Sequence, residues 1–124
     1  MSEAFQSFNP GDKIAGHEDL DFGESKVVMV CVQGHEVEAI LVKTEEGYLS
    51  YVNRCRHLAV PLDWGDGDVL DESGNLFLCR THGALFRLKD GFCVSGPCQG
   101  QSLFAVPIAV EKDGIYLAKP DSAN

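Results

Sequence analysis

The sequence predicts an all-β fold built from antiparallel sheets. Its apolar runs are short and rich in Val and other strand formers, most of them bounded by a glycine-containing turn signal. No long segment holds an apolar period of 3.6, so no amphipathic helix is expected. Thirteen glycines in 124 residues suit a loop-rich β protein, and the length suits one domain, residues 1–124.

Residues 26–32 (Lys-Val-Val-Met-Val-Cys-Val) form a first, Val-rich strand. Gln33-Gly34 reads as a hairpin turn into a second strand over 36–43. Glu45-Glu46-Gly47 turns the chain again into a third, 48–53, and the three meander into one sheet. Residues 54–98 are expected to form a smaller lobe. Within it, 63–71 is a loop rich in Gly and Asp, and 75–78 is a short strand. Strands over 84–88 and 92–94 flank Lys89-Asp90-Gly91, a hairpin signal. The chain then returns to the larger lobe through 103–110 and 115–118, which flank Lys112-Asp113-Gly114. Pro107 lacks an N–H, which confines its strand to an edge or a bulge. The tail, 119–124, is polar and expected to be loose.

Two cysteine–histidine pairs carry the chemistry. Cys55-Arg56-His57 is C-x-H and Cys79-Arg80-Thr81-His82 is C-x-x-H, with 21 residues between His57 and Cys79. Each pair offers one thiolate and one imidazole. Two ligands of each kind suit a diiron unit with one sulfur-held and one nitrogen-held iron. Zinc also accepts a Cys₂His₂ set. The C-x-H spacing is unusual for zinc, however, and the residues flanking the ligands would go unexplained.

Those flanking residues resemble the Rieske iron–sulfur family. The first stretch reads Asn53-Arg54-Cys55-Arg56-His57-Leu58-Ala59-Val60-Pro61-Leu62, and the second Cys79-Arg80-Thr81-His82-Gly83-Ala84-Leu85-Phe86. Ser95-Gly96-Pro97 resembles the family's proline-containing loop that covers the cluster. The resemblance spans about residues 25–118. It implies the Rieske fold, with 54–98 as a small cluster-binding subdomain, and one [2Fe-2S] cluster. Cys55 and Cys79 would hold the inner iron; His57 and His82 would hold the outer iron. Gly83 would let the backbone pass close to the cluster, and Pro97 would stiffen the covering loop.

Two departures from the family's high-potential members are visible. Those members add a cysteine after each motif and join the two by a disulfide; Val60 and Thr81 stand here. They also place hydroxyls against the cluster sulfurs where this chain has Ala84 and Phe86. Fewer hydrogen bonds stabilise the reduced, more negative cluster less. The expected potential therefore lies in the lower part of the Rieske span of about −150 to +300 mV.

A net charge of −9 argues against general nucleic-acid binding. All four arginines (Arg54, Arg56, Arg80 and Arg87) lie in or beside the ligand segments. They make either a local positive patch or ordinary pairs with Asp63, Asp66 or Asp68. The longest apolar stretch uninterrupted by proline, residues 27–32, is far short of the ~20 needed to span a membrane. Residues 1–13 lack a signal peptide's apolar middle, so a soluble, cytoplasmic monomer is expected. Of the remaining cysteines, Cys31 is expected as a buried small hydrophobe. Cys93 and Cys98 flank the covering loop, as fillers or as a local redox bridge. Trp64 is read as packing beneath the first ligand loop, with an exposed docking aromatic as the alternative. His17 and His35 are read as surface histidines.

The resemblance implies a soluble electron carrier that takes single electrons from a reductase to a terminal oxygenase or other acceptor and performs no substrate chemistry. The alternative is the small electron-transfer subunit of a multi-subunit oxidoreductase such as a nitrite reductase. A complete oxygenase would need a second, mononuclear iron site with two histidines. No histidine follows His82, and the remaining chain is too short for another domain.

Overall fold

The structure is a computed structural model that describes residues 7–54, 62–63, 69–81, 83–98 and 100–118. The described residues form nine strands: β1 (Lys13–Ala15), β2 (Ser25–Val32), β3 (His35–Thr44), β4 (Gly47–Val52), β5 (Leu76–Leu78), β6 (Leu85–Arg87), β7 (Cys93–Ser95), β8 (Ile108–Glu111) and β9 (Gly114–Leu117). Among the described residues these strands pair with one another antiparallel, and a parallel bridge joins Phe8 to Val30 of β2. The strands form three sheets, β1-β9-β8, β2-β3-β4 and β5-β6-β7.

The middle sheet organises the molecule. Successive side chains of a strand point to opposite faces. On β3, Ala39 and Leu41 face a core shared with Ile14, Ile115 and Leu117 of the β1-β9-β8 sheet. Ile40 and Val42 face a second core, with Phe77, Phe86 and Cys93 of the β5-β6-β7 sheet. Residues 39–42 are therefore all buried, as expected of a strand covered on both sides. Burial at about 25 cal/mol per Å² of apolar surface makes these two cores the main source of stability.

Turn chemistry fixes the register. Gln33 (φ 53°) and Gly34 (φ 84°) both occupy the left-handed region, and Val32 pairs with His35. That is the two-residue hairpin whose twist matches its strands. At the β8–β9 turn, a Cβ on Gly114 (φ 155°) would lie 2.6 Å from the Ala15 carbonyl oxygen. Only glycine lets β1 approach that closely.

Several expectations change. β1 was not foreseen; its three residues become a strand through pairing with β9. The strand expected over 103–110 is regular only at Ile108–Glu111. Ahead of it, Ser102 bridges Phe92 and Ala105 bridges Tyr51, so the segment crosses between sheets, and Pro107 has no N–H to continue a ladder. Cys31 is half-buried rather than buried, because β2 turns Val30, not Cys31, into the core. His17 ties two sheets. Its Nε2–H donates to the Glu111 carbonyl at 2.7 Å, and its Nδ1 lies 3.2 Å from the Tyr48 hydroxyl oxygen. Trp64 and the tail 119–124 lie outside the described residues. Among the described residues no helix is long and apolar enough to cross a membrane.

Candidate metal centre

Of the four sequence-predicted ligands, Cys79 is described; Cys55, His57 and His82 lie outside the described residues. Among the described residues no three His, Cys, Asp or Glu side chains gather as a metal-holding group. The fold nevertheless brings three segments around the ligand positions to one end of the β5-β6-β7 sheet.

The first segment is closed by Asn53. Strand β4 ends at Val52, and the Asn53 N–H donates to the Glu38 carbonyl at 2.8 Å. The buried Asn53 side chain then makes three contacts. Its Oδ1 accepts from the Leu62 N–H at 2.8 Å. Its Nδ2 donates to Asp63 Oδ1 at 2.9 Å and to Glu38 Oε1 at 3.0 Å. The amide thus uses its acceptor and both donor hydrogens to pin the entry and exit of residues 54–61, which include Cys55 and His57. Asp63, read from sequence as a candidate arginine partner, is buried beside Asn53.

The second segment is a tight turn between β5 and β6. Leu78 pairs with Leu85, the Cys79 N–H donates to the Ala84 carbonyl at 2.9 Å, and the Gly83 N–H donates back to the Cys79 carbonyl at 2.7 Å. Gly83 (φ 75°) supplies the left-handed step that closes this five-residue turn. A Cβ at Gly83 would meet no protein atom within 4 Å, so its need for glycine is conformational rather than a matter of crowding by the protein. Cys79 is fully buried at the head of the turn. The Arg80 N–H donates to the Leu62 carbonyl at 2.9 Å, which joins the second segment to the exit of the first.

The third segment is the glycine–proline loop. Phe86 pairs with Cys93 but Leu85 pairs with Ser95, so Val94 is the extra residue of a β-bulge. A bulge bends its strand and redirects the chain beyond it. Here it sends Gly96 (φ 106°) onto the second segment, where a Cβ would lie 2.7 Å from Ala84 Cα. Beneath the loop, the Cys98 thiol donates to Cys93 Sγ at 3.4 Å and the Cys93 thiol donates to the Ser95 carbonyl at 3.2 Å.

Tyr51 braces this lobe against the middle sheet. Its ring meets Phe77 edge-on at 5.4 Å, and its hydroxyl donates to the Leu88 carbonyl at 2.7 Å. Burial, and secondarily the charge of Asp90, push its pKa up. Ala84 and Phe86 are fully buried, and neither side chain carries a hydroxyl. The four-arginine patch is incomplete. Arg87 lies at the far end of β6 and pairs there with Asp90, which that contact holds down to about 2. The 570 Å³ cleft lined by Phe22, Lys43, Leu49, Gly74 and Leu88 also sits at that far end, away from Cys79.

The donor chemistry fits an iron–sulfur group. A buried thiol at the head of a glycine-closed turn, an adjoining segment pinned at both ends and a loop pressed over the turn suit a centre kept from water. Sequence reasoning missed the role of Asn53. The residue is adjacent to the first motif, but its partners at positions 38, 62 and 63 are brought to it only by folding.

Comparison with known proteins agrees. The family described as the Rieske [2Fe-2S] domain matches residues 13–112. The fold is similar to the ferredoxin of carbazole 1,9a-dioxygenase from Nocardioides aromaticivorans IC177 (22% identity, TM-score 0.67, 90% of this chain and 99% of that one). It is also similar to the Sphingomonas yanoikuyae B1 ferredoxin (19% identity, TM-score 0.68, 89% and 99%). A further match is to a chain from a carbazole-bound oxygenase and ferredoxin complex of carbazole 1,9a-dioxygenase (19% identity, TM-score 0.70). It covers 93% of this chain but 30% of that one. No curated protein sequence matches.

Proposed function

Because the chain belongs to the Rieske [2Fe-2S] domain family, we propose that it is a soluble electron carrier whose single cluster is held by Cys55, His57, Cys79 and His82. The observation that carries the proposal is the Cys79–Ala84 turn, with its buried thiol, tied to the first ligand segment through Leu62 and covered by Gly96. When bound, the group supplies reversible one-electron storage at a thiolate- and imidazole-ligated diiron unit.

The chain's own residues do the rest. Asn53 fixes the span of the first segment, and Gly83 sets the turn that spaces Cys79 from His82. The Gly96 loop excludes water from the Ala84 side. Ala84 and Phe86 withhold hydroxyl donors, which favours a potential in the lower part of the span. We assign the protein no substrate chemistry, a cytoplasmic location and a monomeric state. Its partners are a reductase and a terminal oxygenase or similar acceptor. This assignment is supported by the likeness to two ferredoxins, one of them that of carbazole 1,9a-dioxygenase, whose whole length the chain nearly spans.

Iron, acid-labile sulfide and redox titration test this. The expected result is two irons and two sulfides per chain, with reversible one-electron reduction. Stoichiometric zinc in place of iron would overturn the proposal. A midpoint above about +150 mV would overturn its low-potential part.

A further inference from the structure

We propose that Cys93 and Cys98 form a reversible disulfide couple that locks the loop carrying Gly96 and Pro97 over the second ligand segment. Their sulfurs are 3.4 Å apart and in hydrogen-bond contact, as thiols. A disulfide needs about 2.05 Å, so closure requires a movement of roughly 1.4 Å, within reach of side-chain rotation and small loop adjustment. The backbone holds the two residues in register. The Cys93 N–H donates to the Gln101 carbonyl at 2.7 Å, and the Gln101 N–H donates to the Cys98 carbonyl at 3.0 Å. The intervening residues 94–97 are all exposed, so an oxidant reaches the pair from the loop side although the sulfurs themselves are buried.

The co-reactant is a low-molecular-weight disulfide of the glutathione type. Cys98, the slightly more exposed thiol, loses its proton and attacks one sulfur of that disulfide, releasing the other half as a thiol after protonation. Cys93, deprotonated in turn, attacks Cys98 Sγ in the mixed disulfide and releases the second thiol. The two protein thiols lose two electrons and two protons, and one small disulfide becomes two small thiols. The new bond spans the bulge at Val94 and fixes the segment whose Gly96 already presses on Ala84. Oxidation therefore stiffens the cover, and a reducing thiol frees it. The consequence for electron transfer rests on the function proposed above; formation of the bond does not.

The purified, cluster-loaded protein is incubated without oxygen in oxidised glutathione, alkylated, and cleaved after lysine and arginine. Cleavage leaves both cysteines on one peptide, residues 90–112. The expected result is a peptide lighter by two hydrogens and resistant to alkylation. Dithiothreitol restores it, and the same oxidation slows amide hydrogen exchange across residues 94–98. Neither Cys98→Ser nor Cys93→Ala gives the lighter peptide; two variants are used so that one misfolded protein does not decide the outcome. The proposal is overturned if both thiols stay alkylatable while a CxxC reference dithiol in the same tube is oxidised. It is equally overturned if glutathione adducts accumulate without an internal bond. Because thiols are read directly, these outcomes are independent of which metal the protein holds.

Discussion

Replacing Asn53 by Ala removes the fastener of the first ligand segment. The buried Leu62 N–H loses its acceptor, a loss of about 1–3 kcal/mol. Buried Asp63 loses a donor to its carboxylate, about 1.5–3 kcal/mol if charged, and the partly exposed Glu38 contact adds little. The three share one side chain and are not additive, so the total is about 3–5 kcal/mol. Measured against a typical stability of about 5–15 kcal/mol, that is severe. The melting temperature should fall on the order of 10 °C or more. Bleaching of the visible absorbance by an iron chelator should speed up at least about tenfold, the equivalent of 1.4 kcal/mol. Asn53→Asp keeps the acceptor for Leu62 but sets a third carboxylate against Asp63 and Glu38. It should be worse than wild type at neutral pH and partly recover on mild acidification, as protonation relieves the repulsion. An Asn53→Ala protein that melts within about 2 °C of wild type (an effect of under about 1 kcal/mol) and bleaches at the same rate would refute the reasoning.

Three further substitutions probe single contacts. Gly96→Ala combines a φ of 106° with a 2.7 Å approach to Ala84, so the covering loop must lift; faster chelator bleaching with little change in secondary structure by circular dichroism is expected. Tyr51 has a raised pKa from burial and Asp90, so its contribution is complete below about pH 10 and lost as pH rises through the higher folded value. Tyr51→Phe should lower stability by about 1 kcal/mol near pH 8 and flatten the fall of melting temperature above about pH 10. Gln33→Asn should stabilise by roughly 0.5–1 kcal/mol, because Asn tolerates the φ of 53° better; urea titration at constant m-value checks it.

The legible parts of the fold were those decided locally. Gln33-Gly34 announces its hairpin because positive φ at both residues of a two-residue turn selects few residue types, and Lys112-Asp113-Gly114 announces its own through the glycine that takes a φ of 155° as β9 begins. The middle strand β3 was legible from its β-branched and aliphatic run. β1 was not, since three residues acquire strand geometry only where Gly114 gives them room. Nor was the break before β8, where residues 102–106 serve two other sheets in turn. At the site, C-x-H and C-x-x-H name the chemistry because so few residue types bind iron. The fastening of the site was hidden, since Asn53 finds Leu62 and Asp63 nine and ten residues on, and Glu38 fifteen residues back. The contact between Cys93 and Cys98 depends likewise on a bulge that composition does not reveal.

The most direct measurement of the central claim is pulsed electron paramagnetic resonance on the reduced protein. Mixed ligation by Cys55, Cys79, His57 and His82 predicts a [2Fe-2S] signal coupled to two imidazole nitrogens, one of which disappears in His82→Cys if the cluster is retained. A reduced cluster with no nitrogen coupling, as four thiolates would give, would contradict the account.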